Sequence, residues 1–123
     1  MSNPTILVVE DDPASSQLTI QILKSRNFTI EVAADGVAAL ERLRASTPDL
    51  VILEIALPRA DGWEILNTLS QAQRHVPVIV ITAHGRDSAA ERALNGGTNR
   101  FFEKPFIPTE LAEAVDESLA GDV

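Results

Sequence analysis

Cysteine is absent from the 123 residues, so the chain has no disulfide framework and no thiolate metal site available to it. Proline and glycine are sparse, seven and six, and no low-complexity run occurs, which removes linker-like and disordered readings outside the ends. The longest apolar runs are strand-sized and the N-terminus carries no signal-peptide pattern, so a cytosolic setting is the expectation. Basic residues are in deficit: ten Lys and Arg against eighteen Asp and Glu leave a net charge of -8. That charge repels phosphate backbones and anionic lipid surfaces, so neither direct nucleic-acid binding nor membrane binding is expected. The two histidines, His75 and His84, have no second imidazole at ligand spacing and are assigned no metal.

What is present is 45% apolar sequence in a length that fits one domain, residues 1–123, with room for a core but not for a second folded module. Short β-branched runs alternate with helical segments. "TILVV" (Thr5 to Val9), "TIEVA" (Thr29 to Ala33), "LVIL" (Leu50 to Leu53) and "VIVI" (Val78 to Ile81) are apolar or nearly so throughout, the pattern of strands covered on both faces, and "NRFFE" (Asn99 to Glu103) is a weaker fifth. Asp12 before Pro13 reads as an N-cap with proline at the first helical position, opening a helix to about Arg26. Asp35-Gly36 opens a second helix, Gly96-Gly97 ends a fourth, and Leu111, Ala114, Val115, Ser118 and Leu119 give the last helix one apolar face.

Strands alternating with helices imply right-handed crossovers and a parallel sheet with helices on both sides, a doubly wound α/β domain. Ligands of such sheets sit outside the carboxyl ends of the strands, where strand order reverses. The strand ends carry Glu10, Asp11 and Asp12, then Glu54, then Thr82, then Lys104 followed by Pro105. In the flavodoxin-like five-stranded order 2-1-3-4-5, the first and third strands are neighbours and bring Glu10, Asp11 and Glu54 into one crevice. Two like charges about 4 Å apart repel by roughly 4 kcal/mol at an effective dielectric near 20, so three carboxylates need a cation. All-oxygen ligation with few protein groups suits Mg²⁺, and Thr82 and Lys104 add a hydroxyl donor and a point charge for phosphoryl oxygens. Singly these residues have ordinary readings: an acidic helix cap, a strand threonine, a solvated lysine, core aromatics at Phe101 and Phe102. Their joint placement at strand ends is what favours phosphoryl chemistry.

In this order, "ILVVEDDP", "DLVILEIALPRADG", "VIVITA" and "FFEKPF" closely resemble the receiver domain of two-component response regulators over nearly the whole chain. The resemblance implies Glu10 and Asp11 as the acidic pair for Mg²⁺, the Ala56 backbone carbonyl as a further ligand, Thr82 as the switch hydroxyl and Lys104 as the phosphoryl-binding lysine. It implies a cis Lys104-Pro105 peptide bond, Phe101 as the aromatic that reports activation, and Asp61-Gly62 as the turn into the third helix. Implied partners are a sensor histidine kinase or a histidine phosphotransfer protein. A downstream protein is expected on the face of the fourth and fifth strands and helices, with a homodimer through that face as a further expectation. With no output domain after the last helix, the expectation is a stand-alone receiver or a fragment of a larger regulator.

One position departs from the pattern. The residue closing the third strand is typically the phosphoaccepting aspartate, and here it is Glu54. The extra methylene moves the nucleophile by about 1.5 Å, and misplacement on that scale costs in-line attack around 100-fold. Three readings stand: a weakly phosphorylatable receiver, a pseudo-receiver without turnover, and a partial mimic of the phosphorylated state. Glu54 brings one negative charge and two oxygens, against a phosphoryl group's three oxygens and about -1.5 to -2, so it mimics position better than charge. Outside this class, a Mg²⁺-dependent acidic-nucleophile phosphatase is disfavoured because "EDDPA" lacks the Asp-x-Asp-x-Thr pattern. A nucleotide-binding domain is disfavoured because "VVEDDPAS" puts carboxylates where a phosphate needs backbone amides.

Overall fold

The computed structural model describes residues 3–55, 62–71, 75–82 and 100–120. Five strands form one sheet: β1 (Thr5–Val9), β2 (Thr29–Ala33), β3 (Leu50–Leu53), β4 (Val78–Thr82) and β5 (Arg100–Glu103). All neighbouring pairs are parallel and the order is β2-β1-β3-β4-β5. The described helices are α1 (Pro13–Leu23), α2 (Gly36–Ala45), α3 (Gly62–Ser70) and a C-terminal helix, Pro108–Ala120. This is the flavodoxin-like doubly wound arrangement expected from the alternating pattern. Residues 83–99, which include His84 and the expected fourth helix with its Gly96-Gly97 end, lie outside the described residues, as do Asn99 and Asp61.

Alternation along each strand builds two cores. Leu7, Val9, Val51, Leu53, Val78 and Val80 pack with Ala39 of α2 and Ile65, Leu66 and Leu69 of α3. Ile6, Val8, Leu50, Ile52, Ile79 and Ile81 point the other way, onto Leu23 of α1 and Leu111, Ala114 and Val115 of the C-terminal helix. β1, β3 and β4 are therefore apolar on both faces. β2 differs from expectation: as an edge strand it leaves Val32 46% exposed and Ile30 and Glu31 only half-buried. Such an edge has a pairing partner on one side only, so its continuous apolar look reflects β-propensity more than two-sided burial.

Helix starts follow the sequence signals. Asp12, in extended backbone, accepts the Ser15 amide on its carboxylate, with proline at N1. Asp35 accepts the Ala38 amide at 2.8 Å. α1 stops at Leu23 rather than near Arg26, because the amides of Lys24 and Arg26 turn back to the carbonyls of Gln21 and Leu23, three residues earlier, in a tightened end. Past it, the Arg26 guanidinium grips the Asp116 carboxylate of the C-terminal helix through Nε and Nη2 at 3.0 to 3.1 Å, tying the two helices on that face together.

Candidate functional site

The register aligns the strand ends. Val9 stands opposite both Ala33 and Leu53, and Thr82 opposite Glu103. One residue further on, the ladder still holds the backbone: the Glu10 amide donates to the Ala33 carbonyl at 3.0 Å, the Glu54 amide to Val9 at 2.9 Å, and the Lys104 amide to Thr82 at 2.9 Å. Glu10, Glu54 and Lys104 are thus fixed by sheet hydrogen bonds at the point where strand order reverses.

Their side chains converge. The Lys104 ammonium donates to Glu10 Oε1 at 2.7 Å and to Glu54 Oε1 at 3.1 Å, and its third contact is the Ser15 hydroxyl of α1 at 3.4 Å. Both carboxylates are nearly buried, Glu10 8% and Glu54 7% exposed. The second oxygen of Glu10 accepts the Asp12 amide at 3.3 Å. Asp12 in turn accepts the Ser15 hydroxyl at 2.8 Å, so the cap of α1 and the lysine share one hydrogen-bonded chain.

Burial pushes the Glu10 carboxyl above its ordinary range, against the pull of the Lys104 hydrogen bond and the Asp12 amide. Burial alone lowers an ammonium, but hydrogen bonds to two carboxylates outweigh it and hold Lys104 above its ordinary value. Asp12, at the helix mouth, is held below the usual carboxylate range by its hydrogen bonds to Ser15.

Among the residues named from sequence, Glu10, Glu54 and Lys104 meet directly. Thr82 closes β4 at 2% exposure and is joined to Lys104 through its backbone carbonyl. Asp11 is adjacent in sequence to Glu10 but exposed. Phe101 is half-buried against the α2 and α3 side of the sheet, while Phe102 is buried on the other side, its ring 6.1 Å from that of Phe106. The Lys104-Pro105 bond is cis. Ala56 lies outside the described residues.

Among the described residues no group of three acidic, histidine or cysteine side chains is arranged to hold a metal ion. The donor set is nonetheless of the kind a hard cation takes, since it is oxygen-only, with Glu10 and Glu54 gathered on Lys104 and the exposed Asp11 next to Glu10 in sequence. A site of that kind holds Mg²⁺ by few carboxylates and completes its shell with water. The residue that sequence reasoning missed is Ser15. Its signal was available, because a serine three residues after an Asp cap faces the same helix mouth.

An acidic, lysine-bridged crevice at the switch point of a doubly wound sheet is the class that fold and site define together. The chain matches the response regulator receiver domain family over residues 6–116 and belongs to it. It is therefore a receiver domain of the two-component signalling type. It is 39% identical over 108 residues to response regulator MprA of Mycobacterium ulcerans, an alignment covering 86% of this chain and 46% of that protein. The chain thus spans about half the length of the curated relatives it matches. Among solved structures, it resembles a CheY-like receiver domain protein from Methanospirillum hungatei with a TM-score of 0.90 at 28% identity, covering 98% of this chain and 96% of that one. It resembles the receiver domain of the sensor histidine kinase PA1611 from Pseudomonas aeruginosa, which carries a magnesium ion in its active-site cleft, with a TM-score of 0.86 at 26% identity and coverage of 97% and 99%.

Proposed function

We propose that this receiver domain works as a pseudo-receiver or partial phosphomimic, in which Glu54 stands at the phosphoacceptor position and signalling runs through protein contact rather than phosphoryl turnover. The observation that carries this reading is the 3.1 Å contact between Lys104 Nζ and Glu54 Oε1, made while the same ammonium holds Glu10 at 2.7 Å. The lysine that would neutralise an incoming phosphoryl group is already engaged by the glutamate. Attack on phosphorus by Glu54 requires giving up that pair and accommodating an extra methylene, which displaces the reacting oxygen by about 1.5 Å.

In this reading a sensor histidine kinase or histidine phosphotransfer protein is the upstream partner. The output partner docks on the face carrying β4, β5 and the C-terminal helix, where a second copy of the chain is the alternative occupant. Mg²⁺ would be held by Glu10, Asp11 and Glu54, with the Ala56 carbonyl as the further ligand that the family resemblance implies, and when bound would supply positive charge for phosphoryl oxygens. Lys104 supplies the fixed charge, and Thr82 the switch hydroxyl that orients the group bound there.

The state of the output face tests the proposal. In ¹H–¹⁵N spectra recorded with Mg²⁺, acetyl phosphate is expected to leave the amides of β4, β5 and Phe101 unmoved in the natural chain and to shift them in Glu54→Asp. Equal shifts in both would overturn the reading.

A further inference from the structure

β2 ends the sheet, and its pairing with β1 fixes which of its backbone groups face outward. The Thr29 amide donates to the Pro4 carbonyl at 2.9 Å and the Ala33 carbonyl accepts the Glu10 amide at 3.0 Å, so the odd residues of β2 direct both backbone groups to β1. In a parallel ladder the alternate residues point theirs the other way. The amides and carbonyls of Ile30 and Val32 therefore face outward, with no partner among the described residues. Such a row of groups is a template for another strand, and natural edges are commonly blunted by lysine, proline or a bulge. β2, Thr-Ile-Glu-Val-Ala in unbroken register with β1, has none of these, and Val32 is 46% exposed on it.

The occupant that matches this edge is a second copy of it. Glu31 is the midpoint of the strand, so a two-fold axis there pairs two antiparallel β2 strands over their full length. Ile30 and the partner's Val32 then form a hydrogen-bonded pair, as do Val32 and the partner's Ile30, which satisfies every outward group of both strands. Their side chains share the face on which Ile30 packs, so each pair is also an apolar contact across the seam. On the other face Glu31 meets the partner's Glu31, and like charges directly opposite resist pairing. Arg42 answers that repulsion. Its Nε donates to Glu31 Oε1 and its Nη1 to the carbonyl and hydroxyl of Ser46, which leaves Nη2 without a partner among the described residues. We propose that the chain self-associates through β2, in a two-fold dimer whose two sheets join in one antiparallel seam, with Arg42 Nη2 donating to the partner's Glu31. Because β5 lies at the opposite edge, the seam leaves the face of β4 and β5 open in each copy.

Sedimentation velocity and amide hydrogen exchange, followed together as the protein is concentrated, test the proposal. The charge of -8 on each copy opposes association, so the salt is set at about 0.15 M, where the Debye length is about 8 Å. A dimer with a Kd on the order of 100 µM is expected over a range of roughly 10 µM to 1 mM protein. The Ile30 and Val32 amides are expected to exchange freely at the lowest concentration and to gain protection as the dimer forms. Those of Glu31 and Ala33, bonded to β1, stay protected throughout. Val32→Pro removes an outward donor and leaves the β1 ladder complete, as edge prolines do, and is expected to raise the Kd about tenfold or more. Arg42→Gln, which leaves the Glu31 pair uncompensated, is expected to weaken the dimer about fivefold, and adding Glu31→Gln to it to restore most of the loss. A monomer at the highest concentration would overturn the proposal. So would a dimer in which Ile30 and Val32 still exchange freely, or one as tight in Val32→Pro or Arg42→Gln as in the natural chain.

Discussion

A single lysine sets the electrostatics of the crevice. Lys104 lies between two nearly buried acids, and replacing it leaves both without their shared cation. Full burial makes such a loss worth 3–5 kcal/mol, and with the Lys104 side chain 22% exposed the expected cost of Lys104→Met is smaller, about 2 kcal/mol. The pH dependence follows from direction. A lysine whose folded pKa is raised contributes stability that is fully present below its ordinary 10.5 and is lost as pH rises through the folded value. Glu10, raised by burial, acts in the same direction at lower pH: relative to a free carboxyl, its contribution falls as pH climbs from the ordinary 4.5 through its higher folded value. Urea unfolding between pH 9 and pH 12, roughly the window of lysine titration, is therefore expected to show a falling stability in the natural chain. In Lys104→Met that lysine-dependent fall should be missing; a parallel fall in both would contradict the assignment. Mg²⁺ binding followed by calorimetry is expected to weaken at least tenfold in Asp11→Ala, and unchanged binding would remove Asp11 from the metal site.

Among the secondary-structure elements, α3 begins in close contact with the segment just after β3. The Gly62 amide donates to the Ile55 carbonyl at 2.9 Å, and a Cβ built on Gly62 would come within 2.7 Å of Ile55 Cα. This approach of backbone to backbone admits only glycine, and it fixes where the chain beyond Glu54 re-enters the fold. Gly62→Ala is expected to destabilise by about 1–3 kcal/mol, the scale of overpacking in a close-packed interior. Thermal unfolding checks this, and an unchanged midpoint would show that the segment shifts freely. The element pattern was largely legible in the sequence because Asp12-Pro13 and Asp35-Gly36 carry cap chemistry that acts within four residues. The end of α1 was not, since Lys24 to Arg26 have ordinary helix propensity and tertiary contacts such as Arg26 with Asp116 decide where they turn. β2 was misread as two-sided for a related reason: residue type reports propensity, while edge position depends on the order of the whole sheet.

For the whole molecule, the doubly wound order converts four distant strand ends into one crevice. Glu10 and Glu54 were visible in the sequence because each directly follows an apolar run, and Lys104 because it stands between the fifth strand and Pro105; the order 2-1-3-4-5 does the rest. That one lysine bridges both acids was not visible, because it depends on side-chain positions to within a few tenths of an ångström. An apolar cleft below the charges was not visible either, being a property of how α1 stands off the sheet. The proposed pseudo-receiver role requires that Glu54, by engaging Lys104, withdraws the site from phosphoryl acceptance. The direct test is intact mass after incubation with acetyl phosphate and Mg²⁺, run on the natural chain beside Glu54→Asp. A phosphoryl adduct, about 80 Da by the mass of the group added, is expected on Glu54→Asp alone. A stoichiometric adduct on the natural chain would contradict it.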